Sequence, residues 1–281
     1  MQITTERMLI MEFLNEVCKV SGELWSKGWA ERNAGNISMR LTAGEMAKFG
    51  ITGPGTPWKA LPKKVSGMAG DLVLISGTGK YLKNIAGDPE RNLGIVEIND
   101  SGENYRTVWG FSDGGSPSSE LASHLEVHSI KKAASPESKS TIIHTHPANL
   151  VALTYALEFD TFSLTRLLWE MHTECIVVFP EGIEFLPWMV PGSNELADAT
   201  AKALVKRNAV VWQFHGAFGW GSSPDEVLGL IDTMEKAAEI YLKVASAGAV
   251  RNKLKTRQLA AIAERYGVTP DTEIIRRMKI V

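Results

Sequence analysis

The stretch Thr141-Ile142-Ile143-His144-Thr145-His146 decides how this chain is read. Its opening predicts a strand over 141–146. In a strand, residues two apart project from the same face, about 6.6 Å apart along the chain, so both imidazoles can reach one ion. Catalytic zinc sites commonly use two or three histidines and keep a position open for substrate. His215 is the best third ligand, because it ends a second apolar strand predicted over Ala209 to Phe214 and is followed by Gly216, which leaves space beside the ring. A lone histidine is more often a hydrogen-bonded core residue; the His-x-His together with a strand-terminal His-Gly favours metal.

Around these two strands the pattern predicts others at 71–76, 93–98, 104–109, 175–179 and 183–188. Several gaps are too short for a crossover helix, which implies antiparallel pairing. Helices are expected at 5–27, with Leu14, Val17, Cys18, Leu24 and Trp25 on the core face, and at 118–132, 148–157, 193–207, 224–247 and 256–266. Ser223-Pro224-Asp225-Glu226 marks the clearest helix start, with a cap, a first-turn proline and two acids complementing exposed amides. Residues 43–70 read as an irregular surface excursion. The expected architecture is one α/β domain over residues 1–281, a sheet covered by helices.

Composition excludes several function classes. Thirty Lys and Arg against 32 Asp and Glu give a formal charge of −2, and no basic block offers a footprint for nucleic acid. The longest apolar runs fall well short of the roughly 20 residues that span a bilayer, and the start lacks the features of a signal peptide, so a cytoplasmic location with no membrane partner is expected. The only two cysteines, Cys18 and Cys175, are expected in a helix and a strand as buried free thiols.

Asn33-Ala34-Gly35-Asn36 is a turn-rich quartet that tolerates left-handed backbone and exposes amides. Ser76-Gly77-Thr78-Gly79-Lys80 follows a strand and could cradle a small phosphoester, but it fails both the P-loop and the dinucleotide patterns. Ser116-Pro117-Ser118-Ser119-Glu120 precedes a helix, where hydroxyls and amides favour an anion. The plain reading there is a cap with an ordinary first-turn acid; the functional one gives Ser118 and Ser119 to a phosphate and Glu120 to proton transfer. His124 and His128 share a helix face and are spaced for chelation, but Leu121 and Leu125 share that face too, and no Glu follows His124, so both read as structural. His172 has no partner by spacing. Trp109, Trp169, Trp188, Trp212 and Trp220 are expected in the core or at a subunit interface.

Taken in order, Asn33-Ala34-Gly35-Asn36, Ser76-Gly77-Thr78-Gly79, Ser118-Ser119-Glu120, His144-Thr145-His146 and His215-Gly216 resemble the class II aldolase/adducin superfamily. Longer stretches, among them GELWSKGWAERNAGNISMR and FHGAFGWG, extend the likeness to one bacterial branch along nearly the whole chain. The resemblance implies a predominantly antiparallel central sheet between helical layers, assembled as a homotetramer. It implies Zn2+ on His144, His146 and His215, one per subunit, and Glu120 as the catalytic carboxylate. Asn33, Gly35, Asn36, Thr78, Gly79, Ser118 and Ser119 would surround a substrate phosphate. Thr78 and Ser118 stand where close relatives usually carry serine and threonine, and both keep a hydroxyl. Glu174 is the expected second acid-base group. The implied reaction is retro-aldol cleavage of a sugar phosphate, L-rhamnulose 1-phosphate in that branch. The alternatives are L-fuculose 1-phosphate, epimerisation of L-ribulose 5-phosphate, or a non-catalytic adducin-like module.

Overall fold

Leu14, Val17, Val20, Ser21 and Leu24 are fully buried along one face of α1 (Thr5–Ser26), the three-and-four spacing expected of it. Trp25, expected on that face, is 46% exposed and lies under the Lys83 ammonium, 5.3 Å from the ring centroid. The helix ends where Gly28 takes φ +76° and donates to Trp25 O while Trp29 N donates to Leu24 O. That paired closure suits glycine, which enters the left-handed region without steric cost.

The computed structural model describes residues 5–42, 45, 54–136 and 138–280, apart from the side chains of 5–13 and 280. Part of the excursion expected at 43–70, namely 43, 44 and 46–53, lies outside the described residues. The chain divides into two compact units: residues up to 145 with 189–202 and 220–228, and residues 146–188, 203–219 and 229 onward.

In the first unit, β1 (Asn36–Arg40), β2 (Lys59–Ala60), β3 (Leu72–Ser76), β4 (Leu93–Ile98), β5 (Asn104–Gly110) and β6 (Ser140–Thr145) lie in the order β2-β5-β4-β3-β1-β6. Every ladder among them is antiparallel. A short helix α2 (Pro89–Asn92) leads into β4, capped by the Asp88 carboxylate. Strand β1 was not expected from the sequence: NISMR alternates polar and apolar residues as a half-solvated strand would, yet all five are buried. Its register sets Asn36 opposite His144, Ser38 opposite Ile142 and Arg40 opposite Ser140, so the polar positions of β1 share a face with His144 and Ser140. Helix α3 (Leu121–Ala134) packs on that unit, with Leu121 and Leu125 joining a core of Val73, Ile75, Val96, Ile98 and Phe111. It starts three residues later than the sequence predicts.

In the second unit, α4 (Ala148–Ala156), α5 (Thr161–Met171), α6 (Cys175–Val178) and β7 (Glu184–Leu186) follow His146. Helix α7 (Asn194–Ala203), nearly all of it in the first unit, precedes β8 (Ala209–Trp212) and β9 (Gly216–Gly221). Strand β7 pairs parallel with β8, which pairs antiparallel with β9. Helices α8 (Pro224–Ser246), α9 (Thr256–Tyr266) and α10 (Thr272–Ile280) complete the described chain. The strand expected at 175–179 is instead the single helical turn α6. Its β-branched residues favour a strand locally, but burial of Cys175 and Ile176 and the bonds Val178 N to Glu174 O and Phe179 N to Cys175 O fix a turn. Cys175 is thus buried in a helix, and Cys18 is half-buried; both thiols are free. Helix α5 was missed although its signal is local: Asp160 and Ser163 form a reciprocal capping box. Trp169 and Trp212 are buried as expected, whereas Trp188 is 56% exposed. Among the described residues no helix is long and apolar enough to cross a membrane.

Candidate active site

The loop after β3 and the segment before α3 are zipped together. Ser118 N donates to Ser76 O at 3.0 Å, Thr78 N to Ser116 O at 2.9 Å, and Gly77 bridges Pro117. This brings Thr78 and Gly79 beside Ser118. The Ser118 hydroxyl accepts from Glu120 N at 3.3 Å, which fixes the turn that presents the glutamate. Glu120 is the first residue of the helix boundary, yet its carboxylate makes no capping bond.

Instead the buried Glu120 carboxylate points to the polar face of β1 and β6. Asn36 Nδ2 donates to Glu120 Oε2 at 2.9 Å, and His144 Nε2 lies 3.8 Å from the same oxygen. Asn36 Oδ1 bonds His124 Nε2, so both ends of this amide are engaged. That places Asn36 beside the carboxylate. Gly35, at φ +77°, takes a backbone conformation that strains any side chain, and a Cβ there would stand a tight 3.1 Å from His144 O and 3.3 Å from Leu82 Cδ1. The turn that closes the quartet on β6 favours glycine at that position. Asn33 and Ser119 are exposed beside these loops.

His124 and His128 are fully buried, with His124 Nδ1 and His128 Nε2 both on Ser38 Oγ, at 2.6 and 2.8 Å. A hydroxyl occupies the place between them where a chelated ion would sit, in keeping with their non-metal reading. Burial holds His124 well below the ordinary histidine range, with the neighbouring His128 and His144 adding to it, and lowers His128 to about 3 with help from Arg40. Both rings are neutral at physiological pH.

In the second unit, His146 follows the end of β6, and His215 sits in the tight turn between β8 and β9 rather than at the end of a strand reaching 214. Phe214 takes φ +61° and His215 N donates to Trp212 O, which closes the turn. The His146 and His215 ring centroids are 5.0 Å apart, and Trp212 stacks 5.2 Å from His215 on its other contact. His144, His146 and His215 can each offer one imidazole nitrogen to a metal ion. Three imidazole donors are a set that can hold a catalytic metal ion while leaving a position open. Glu174 is exposed as the N-terminal neighbour of α6, with its amide donating to His172 Nδ1 at 3.3 Å. Its expected setting before a strand is corrected with that strand.

The Class II Aldolase and Adducin N-terminal domain family matches residues 15–242, and the chain belongs to that family. Among its relatives is the rhamnulose-1-phosphate aldolase of Pectobacterium atrosepticum, 41% identical over 259 residues, covering 92% of this chain and 94% of that protein. The rhamnulose-1-phosphate aldolase of Mannheimia succiniciproducens is 40% identical, covering 92% and 95%. Among solved structures, a sugar-phosphate aldolase from Thermotoga maritima aligns with a TM-score of 0.72 at 31% identity, covering 86% of this chain and 98% of that one. An L-fuculose-1-phosphate aldolase from Thermus thermophilus shares the fold, with a TM-score of 0.56 at 20% identity, covering 84% and 96%.

Proposed function

We propose that this chain is a zinc-dependent aldolase of L-rhamnose catabolism that cleaves L-rhamnulose 1-phosphate to dihydroxyacetone phosphate and L-lactaldehyde. The observation that carries the chemistry is the buried Glu120 carboxylate held 3.8 Å from His144 Nε2. The substrate rests on the near-full-length likeness to relatives of that name. The reading also takes the protein as a cytoplasmic homotetramer in which the two units act as one functional domain.

His144, His146 and His215 would hold the ion, and it would supply Lewis acidity toward the negative charge left by carbon–carbon cleavage. As the C3–C4 bond breaks, its electron pair stays on C3 and the C4 hydroxyl loses its proton, so that C4 becomes the aldehyde carbon of L-lactaldehyde. Glu120 delivers a proton to C3, which completes dihydroxyacetone phosphate. Glu174 is assigned to the C4 proton. Thr78, Gly79, Ser118 and Ser119, with Asn33 and Gly35 beside them, are assigned to the phosphate, and Asn36 orients Glu120.

Purified protein should release dihydroxyacetone phosphate from L-rhamnulose 1-phosphate, lose that activity on chelation and regain it with zinc. His146→Ala should lose metal and activity together. No release by folded, zinc-loaded protein would refute the assignment; L-fuculose 1-phosphate and L-ribulose 5-phosphate, run in parallel, would then locate the family reaction it performs.

A further inference from the structure

The bonds that hold Glu120 do not stop at Asn36. From His124 they run through Ser38 to His128, whose Nδ1 meets Ser140 Oγ at 2.7 Å, and Trp220 Nε1 donates to Ser140 Oγ at 2.8 Å. Asn36, Ser38, His124, His128 and Ser140 are all buried, on β1, α3 and β6 of the first unit. Two histidines, two serines and an asparagine in a row inside a core are costly unless every donor meets an acceptor.

They do meet, and the bond from Asn36 to the carboxylate sets the direction. Glu120 Oε2 accepts from the Asn36 amide, so Asn36 Oδ1 faces His124 and requires a proton on its Nε2. A neutral His124 then has a bare Nδ1, which must take the Ser38 hydroxyl proton. Ser38 has no second proton, so His128 donates from Nε2 and its bare Nδ1 takes the proton of Ser140. Ser140 is left able only to accept, and its other partner is an indole N–H, which can only donate. The direction demanded from the carboxylate is the direction supplied at the tryptophan.

We propose that this row is a positioning relay for Glu120, in which His124 and His128 are locked as Nε2–H tautomers and align the Asn36 amide on Oε2. Hydrogen bonds polarise one another along such a chain. His124, His128, Ser38, Ser140 and Trp220 are thus positioning residues acting through Asn36. The inference rests on the proposed catalytic role of Glu120; the proton arrangement itself does not.

Histidine side-chain nitrogen NMR of the zinc-loaded protein at neutral pH, assigned with His124→Gln and His128→Gln, should show both rings neutral with protonated Nε2 and bare Nδ1. An Nδ1–H tautomer or an imidazolium at either position would overturn the relay, whatever the kinetics. Ser38→Ala should lower kcat on the order of tenfold, the scale of one hydrogen bond to a charged group, with KM and zinc content unchanged, and Ser38→Thr should restore most of it. Trp220→Phe, which keeps the ring under the Lys131 ammonium and removes only the N–H, should give a smaller loss of the same kind. Inactive Glu120→Gln beside fully active Ser38→Ala would overturn the relay alone. Fully active Glu120→Gln would overturn the proposed role of Glu120 and the relay with it.

Discussion

Helix α3 rests on two unlike floors. Leu121 and Leu125 settle into an apolar cluster with Val73, Ile75, Val96 and Phe111, while His124 and His128, one turn apart on the same helix, settle onto the polar row of β1 and β6. Both floors are buried. The first is held by area removed from water and tolerates changes that keep volume; the second is held by hydrogen bonds that must each find a donor and an acceptor. The contrast teaches that burial alone does not mark a residue as structural: the leucines hold α3 in place, and the histidines aim what α3 carries at its start.

Three substitutions or titrations separate the two floors. Glu120→Gln should lower turnover by about a hundredfold or more with the melting temperature nearly unchanged, since a glutamine oxygen still accepts from Asn36; paired kinetics and thermal melts check it. Leu125→Ala should do the reverse, costing about 2–5 kcal/mol of stability while the folded fraction keeps its turnover, as chemical denaturation followed by activity per folded molecule would show. If Leu125→Ala lowered kcat as much as Ser38→Ala does, the two floors would not be functionally distinct.

Per pH unit, the smallest effect is in titration. His128 is held neutral with its pKa lowered to about 3 from the ordinary 6.5. Between those values the unfolded chain binds a proton that the folded one refuses, so stability should fall as pH drops through this window, by up to about 1.4 kcal/mol per pH unit for one such group, and gain nothing from it above 6.5. His128→Gln should flatten that slope, whereas the cost of Leu125→Ala should be the same at both ends of the window. Denaturant midpoints at several pH values decide it, and an unchanged slope in His128→Gln would refute the assignment.

Much of this was legible in the sequence. The strands at 93–98 and 209–212 announce themselves by apolar runs, and the His-x-His, the Ser-Ser-Glu run and the turn-rich quartet, proposed for the site, stand out as short motifs. What was not legible depended on residues distant in the chain. Strand β1 looks half-solvated because its polar residues find partners on α3, more than 80 positions away. Ser38 and Ser140 show no local pattern at all; only the register of β1 against β6 brings them to one face, and Trp220 reaches Ser140 from β9. The 175–179 segment misled in the opposite sense, since its side chains favour a strand and its surroundings impose a turn. Helix α5 was missed although Asp160 and Ser163 announce it, and no physical cause excuses that.

The start of α4 is closed from outside the helix. The Glu235 carboxylate on α8 accepts from Asn149 N, Leu150 N and Asn149 Nδ2 at 2.7 to 2.9 Å, just after His146 and Pro147. Burial raises the Glu235 pKa, against these same bonds. First-turn amides of a helix have no partner within it and ordinarily trade hydrogen for deuterium within the first moments in heavy water. Here two of them are held by another helix, so Asn149 and Leu150 should be slow where a helix start is normally quick, and the backbone leading out of His146 is anchored to a residue more than eighty positions further along the chain.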